Sequence, residues 1–276
     1  MKLIADSGSS KVDWAFSGKS NLRFRTKGLN PNYMSPEEIV SVLSTEIRPF
    51  CQEVESIHFF GAGIVGEEMK RKLASCIKEV WPDAELELSS DLRASALALF
   101  GKERGIACIL GTGSNSCLCD GGEILQNVKA GGFILGDEGS GSWIGKHLLM
   151  DYIKGIMPEG LAGEFEREYE LSYPAIVERV YRQGSPAAYL ASLNMFAASR
   201  LEDAYISSLI KEGFGDFLQR NVCRYPGWES LEIGAVGSVA KHYEALFREC
   251  CEEKGLKIRK IIKAPIEELL KYYESN

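Results

Sequence analysis

Apolar and polar residues alternate at the start of the chain, and apolar residues recur at helical spacing toward its end. Leu3-Ile4-Ala5 is a short apolar run. Val12, Trp14 and Phe16 alternate with polar neighbours, and Leu22 and Phe24 do so again after Ser17-Gly18-Lys19. A period of two marks half-buried strands, so residues 1–27 predict a three-stranded meander with tight turns. Ser35-Pro36-Glu37-Glu38 then opens a helix: Ser35 can cap it, Pro36 suits the first helical position and Glu38 completes a capping box. A strand over 57–60, a helix over 67–80, a short strand over 85–88 and a helix over 91–100 follow.

At Ile106 the opening pattern begins again. Residues 107–110 read as a strand, Gly111-Thr112-Gly113-Ser114-Asn115 as a Gly-rich turn, and 116–119 and 124–128 as two strands joined at Asp120-Gly121-Gly122. Ile4-Ala5-Asp6-Ser7-Gly8-Ser9-Ser10 aligns with Ile109-Leu110-Gly111-Thr112-Gly113-Ser114-Asn115, so one supersecondary unit is used twice. From Ser142 onward the period predicts helices over 143–153, 161–169, 174–181, 186–210 and 213–221. Residues 232–240 read as a strand feeding a Gly-rich turn and a helix, 257–262 as a last strand and 266–273 as a closing helix. The natural domain boundary falls near 101–105, dividing the chain into 1–104 and 105–276.

Composition narrows the function. The chain has 276 residues, 45% hydrophobic and 26% charged, with a net charge of -7. A nucleic-acid binder needs clustered Lys and Arg, and even Lys70-Arg71-Lys72 sits beside Glu67 and Glu68. The first apolar stretch ends at Asp6, too soon for a signal peptide, and no apolar run approaches the ~18–20 residues that span a bilayer. A soluble, cytoplasmic protein with no membrane or nucleic-acid partner is expected. Eight cysteines, none in C-x-x-C spacing, suit reduced and mostly buried thiols.

Several segments carry candidate chemistry. Asp6-Ser7-Gly8-Ser9-Ser10-Lys11 and Gly111–Asn115 are small-residue turns whose backbone N–H groups can cradle phosphate; each alone is equally a plain hairpin turn. Asp6, at a strand end, can hold Mg2+ through water. Neither turn is a Walker A loop or a dinucleotide fingerprint, since no G-x-x-x-x-G-K-[ST] is present and both lead into strands. Asp91 lies at a strand-to-helix junction, where it can be an N-cap or a general base toward a sugar hydroxyl. The stretch from Gly131 and Gly132 through Asp137-Glu138-Gly139-Ser140 puts two carboxylates in a Gly-rich loop, suited either to vicinal hydroxyls or to capping the next helix. Gly234-Ala235-Val236-Gly237-Ser238 can lie flat against an adenine ring or simply turn. His58, His147 and His242 lack metal spacing and read as structural or solvated.

Taken together, these motifs resemble the N-acetylglucosamine kinase group, related to BadF/BadG/BcrA/BcrD-type ATPases and more distantly to hexokinase, actin and Hsp70. Gly-Thr-Gly-Ser-Asn followed by Gly-Asp-Glu-Gly-Ser-x-x-Trp-Ile-Gly carries the likeness most specifically. The resemblance implies an α/β fold of two ribonuclease-H-like (actin-like ATPase) domains flanking a nucleotide cleft. The second domain would have added helices, and the last helix would return to the first. It implies ATP and Mg2+ as cofactors and phosphorylation of a sugar hydroxyl, an amino sugar being the expected substrate. Asp6, Gly8, Ser9, Ser10 and Lys11 would then form the first phosphate motif, and Gly111, Thr112, Gly113 and Ser114 the second. Gly234, Gly237 and Ser238 would form the adenosine motif, and Asp91 would be the base. Asn30, Asn115, Gly132, Asp137 and Glu138 would fall on the sugar side. Relatives usually carry a Trp-Gly pair where this chain has Gly131-Gly132. The assembly is left open, a homodimer being one form. The rival readings are an ATPase subunit driving a reductase through an Fe–S cluster, and a sugar sensor without turnover.

Overall fold

The computed structural model describes residues 1–8, 11–18, 23–29, 31, 34–61, 64 and 66–275. The chain divides into two compact units. The first comprises residues 1–103, 120–124 and 264–276, and the second comprises 104–119 and 125–263.

In the first unit, β1 (Lys2–Ser7), β2 (Lys11–Phe16) and β3 (Arg23–Lys27) form the antiparallel meander. Strands β4 (Ser56–Gly61) and β5 (Glu85–Ser89) extend it in parallel, giving the order β3-β2-β1-β4-β5. Helix α1 (Pro36–Val42) begins with the expected capping box between Ser35 and Glu38. Helix α2 (Glu67–Val80) buries Leu73, Cys76, Ile77 and Val80, a single stripe at three- and four-residue spacing. Helix α3 (Asp91–Phe100) follows β5. Buried Trp14 anchors the core edge-on to Phe59, its indole N–H donating to Thr26 Oγ1 at 3.0 Å.

The second sheet repeats that plan. Strands β6 (Gly105–Leu110), β7 (Ser114–Asp120) and β8 (Glu123–Gln126) form a meander, and β9 (Glu232–Val236) and β10 (Lys257–Ile262) add to β6 in parallel, giving β8-β7-β6-β9-β10. The internal repeat seen in the sequence is thus two sheets of one topology. Between β8 and β9 lie α4 (Gly132–Leu135), α5 (Gly141–Lys154), α6 (Glu159–Tyr169), α7 (Tyr173–Tyr181), α8 (Pro186–Ala198) and α9 (Ala204–Arg220). Helices α10 (Ser238–His242) and α11 (Glu244–Glu253) join β9 to β10, and α12 (Ile266–Ser275) closes the chain in the first unit.

Two expectations change. The predicted helices over 186–210 and 213–221 are instead α8 and α9, broken at 199–203. There the Asp203 carboxylate accepts the Tyr205 and Ile206 N–H groups at 2.9 and 3.2 Å and restarts the helix. Gly213, which looked like a helix start, is inside α9, where a Cβ would come within 2.8 Å of the Trp143 ring. The loop before Trp143 also holds a helix, α4, that periodicity did not predict.

Helices α5 and α8 pack so closely that a Cβ on Gly145 would collide with the Leu190 carbonyl oxygen. Gly145→Ala should therefore lower the unfolding free energy by about 1–3 kcal/mol, the cost of overpacking. Urea denaturation of variant and wild type measures the difference.

Candidate active site

Two groups of the predicted residues assemble, one in each unit. In the first unit the β1–β2 hairpin sets Asp6 directly opposite Asp13. Like charges facing across a ladder are destabilising unless something offsets them. Asp13 has that offset: Arg25 Nε lies 2.7 Å and Lys11 Nζ 3.4 Å from its carboxylate. Asp6 does not share it. Burial, then the charges of Asp13 and Asp91, push its pKa up to about 7 against the pull of Lys11. The Lys11 ammonium therefore rests on Asp13, and the Gly8 N–H donates to the Lys11 carbonyl at 2.9 Å to close the turn. Ser9, Ser10 and Asn30 lie outside the described residues.

Asp91 is the first residue of α3. The cap is Ser90, whose hydroxyl accepts the Arg93 N–H at 3.3 Å. This leaves the Asp91 side chain to other work. Its Oδ1 accepts the Leu92 N–H at 2.8 Å, while Oδ2 has no partner among the described residues. Burial raises its pKa, opposed by the Leu92 and Asp91 N–H groups. A polar network steadies α3: Glu87 accepts the Tyr273 hydroxyl at 2.9 Å, and lies 2.8 Å from His58 Nδ1 and 3.6 Å from Arg93. His58, read as structural or solvated, is tied into this network and stacks on Tyr273.

In the second unit the turn between β6 and β7 is stitched to the first residues of α5 and to Asp137 in the loop before it. Gly141 and Ser142 donate to the carbonyls of Gly111 and Thr112 at 2.8 and 3.0 Å, and the Ser114 N–H donates to Asp137 Oδ1 at 3.1 Å. Within the turn, Gly111 donates to the Gly113 carbonyl at 2.9 Å. The N–H groups of Thr112 and Gly113 have no partner among the described residues, so they are the donors the turn can offer an anion.

Asn115 Oδ1 accepts from the Ser116 N–H and from Asn127 Nδ2, both at 2.9 Å. The Asn115 Nδ2 donors have no partner among the described residues. Asn127 has no motif around it, so sequence reasoning missed it.

Asp137 is buried with φ 56°, and burial raises its pKa. Glu138 receives Asn221 Nδ2 at 3.4 Å and Arg220 Nε at 3.9 Å. It opens onto a cavity of about 350 Å3 that Trp143, Lys146, His147 and Asp216 also line. Gly132 starts the exposed α4 with φ 73°.

Gly234 lies within β9, paired to Ala107 and Lys260. Gly237 takes φ 135°, and a Cβ there would collide with the Leu110 carbonyl oxygen, so the last turn is packed onto the strand end that leads into Gly111. Ser238 is the first residue of α10. A larger depression of about 920 Å3, beside Met1, Phe50 and Trp81, shares no residue with either group. Among the described residues no three His, Cys, Asp or Glu side chains could enclose a metal ion, and no helix is long and apolar enough to cross a membrane.

No protein-family model and no curated protein matches the sequence. Solved structures do match it. A ROK hexokinase from Thermus thermophilus aligns at TM-score 0.51 and 15% identity, over 98% of this chain and 96% of that one. A provisionally named N-acetylglucosamine kinase from Chromobacterium violaceum aligns at TM-score 0.70 and 17% identity over 98% of each chain. Both share the architecture, which is the two-domain, actin-like ATPase fold. A provisionally named N-acetylglucosamine kinase from Porphyromonas gingivalis aligns at TM-score 0.93 and 40% identity, over 100% of this chain and 99% of that one. The chain belongs to the N-acetylglucosamine kinase-like family of that fold.

Because the folded pKa of Asp6 lies above its ordinary value of 3.8, the folded protein holds a proton there that the unfolded chain releases. The stabilising contribution is full below pH 4 and is lost as pH rises through about 7. In magnesium-free buffer, wild type should therefore lose stability relative to Asp6→Asn between pH 4 and 7, read as diverging urea midpoints.

Proposed function

We propose that the protein transfers the γ-phosphoryl group of ATP to a hydroxyl of an amino sugar of the N-acetylglucosamine type. The observation that carries this reading is Asp91, a carboxylate at a strand-to-helix junction with one uncommitted oxygen and a raised proton affinity. A general base works best with its pKa closer to the operating pH, and burial moves Asp91 that way. Asp91 orients the hydroxyl and accepts its proton as the oxygen attacks the γ-phosphorus and ADP leaves.

The Thr112 and Gly113 N–H groups hold phosphate oxygens, and the Asp6–Lys11 segment serves as the first phosphate motif. Gly234, Gly237 and Ser238 offer a side-chain-poor surface to adenosine. Asn30, Asn115, Gly132, Asp137 and Glu138 are the residues assigned to the sugar. Asp6 suits a hydrated Mg2+ ion, because a hard carboxylate among other acids gains most from a nearby cation and no protein cage is needed. Bound there, such an ion offsets charge on the phosphates.

Seven buried cysteines and one half-buried cysteine suit a reducing cytoplasm. They do not favour a reductase-coupled ATPase, whose shared cluster needs exposed thiolates.

Asp91→Asn should lower kcat by at least about a hundredfold while leaving ATP affinity unchanged. For the wild type, kcat/KM should fall on the acid side with a pKa above the ordinary aspartate range. ADP release measured with N-acetylglucosamine, N-acetylmannosamine, glucosamine and glucose tests both the base and the sugar class. Near-normal phosphorylation by the Asn variant sinks the assignment.

A further inference from the structure

Asp137 looks at first like one more acid for sugar hydroxyls, yet its contacts run to the nucleotide turn. The residue is only 8% exposed, and Oδ1 accepts the Ser114 N–H at 3.1 Å. Gly113 lies against the same carboxylate: a Cβ there would sit 2.9 Å from Oδ2 and 3.1 Å from Oδ1. The backbone around Asp137 is fixed on both sides, its N–H donating to the Ala130 carbonyl and its own carbonyl accepting the Ser140 N–H, each at 3.1 Å. It adopts φ 56°, a left-handed conformation that costs a non-glycine residue free energy and persists only where surroundings hold it. Two more bonds, from Gly141 and Ser142 at the start of α5 to the Gly111 and Thr112 carbonyls, grip the turn from the same side.

We propose that Asp137 is a positioning residue for nucleotide binding, its Oδ1 holding the Gly113–Ser114 peptide so that the neighbouring Thr112 and Gly113 N–H groups point at phosphate. Without that acceptor the Ser114 N–H would be a third free donor, and the turn could rotate to satisfy it. With it, the two remaining donors are fixed before the ligand arrives, which reduces the ordering cost of binding. Oδ2 stays available to a sugar hydroxyl, so the one carboxylate serves the sugar and the phosphate turn together. The inference rests on the reading that Gly111–Ser114 is a phosphate turn.

The test is calorimetric titration of the full-length protein with magnesium adenylyl imidodiphosphate, without sugar. Asp137→Ala should weaken binding about tenfold, the loss expected for one hydrogen bond to a charged group. Asp137→Asn, which keeps an Oδ1 acceptor, should restore most of it. Gly113→Ala, which leaves the acid in place but pushes the turn away from it, should weaken binding like Asp137→Ala.

If Asp137 met only sugar, Asp137→Ala and Asp137→Asn would both keep the wild-type affinity, and that result overturns the proposal. An Asn variant as weak as the Ala variant overturns it too, because the acceptor would not matter. Thr112→Pro, which deletes a donor of the turn, separates the two layers. If it weakens binding while Asp137→Ala does not, only the positioning role fails. If neither does, the phosphate reading fails with it. Should Asp137→Ala not fold, Asp137→Gly, which suits the φ of 56° and also removes the acceptor, takes its place: wild-type affinity overturns the proposal, and weakened affinity supports it.

Discussion

Parallel pairing of β4 with β1 and of β9 with β6 is the interaction on which the site depends. A strand paired in parallel ends beside its neighbour's end, so whatever follows each strand is delivered to one edge of the sheet. Ligands in open α/β sheets bind beyond those carboxyl ends for this reason. Asp6 lies near the end of β1 and Asp91 follows β5. In the other sheet Gly111 follows β6 and Gly237 follows β9. Neither group needs a long or unusual loop. The Gly237 turn shows how tight the delivery is, since only a glycine fits against the end of β6.

Electrostatics then divides the labour between groups of similar acids. Asp13 is paired with Arg25 and Lys11, and its charge is spent within the hairpin. Among the described residues Asp6 and Asp91 have no such partners, and they hold their protons more tightly than exposed carboxylates do. Asp137 is bound to a backbone N–H and Glu138 to an amide and a distant guanidinium. The acids that stay least satisfied within the chain are the ones with most to gain from a cation or a proton in transfer.

Much of the fold was legible because period and punctuation agreed. The α2 stripe, the Ser35 capping box and the repeated strand–turn–strand pattern are local signals, and each names its element without knowledge of the rest. The break between α8 and α9 was legible as well, in Asp203, but the apolar spacing on either side masked it. Gly213 misled because its reason is a ring in another helix, and α4 because four residues carry no period. At the site, residue types were readable while their partners were not. The opposition of Asp6 and Asp13 depends on hairpin register, the orientation of Asn115 on Asn127, and the occupation of Ser114 by Asp137 on a contact across twenty-three positions. Each of these is fixed by tertiary packing, which spacing alone does not encode.

Helix α12 has a bearing on how the protein is made. It buries Ile266, Leu269, Leu270 and Tyr273 in the unit that begins at residue 1, and Lys2 Nζ donates to the Tyr273 carbonyl at 2.6 Å. On the ribosome, the first sheet emerges long before its covering helix exists. At about 5–20 residues per second the delay is many seconds, during which an apolar face beside α3 and β1 stays bare. The nascent first unit is therefore an unfinished domain until residues 266–275 have been synthesised.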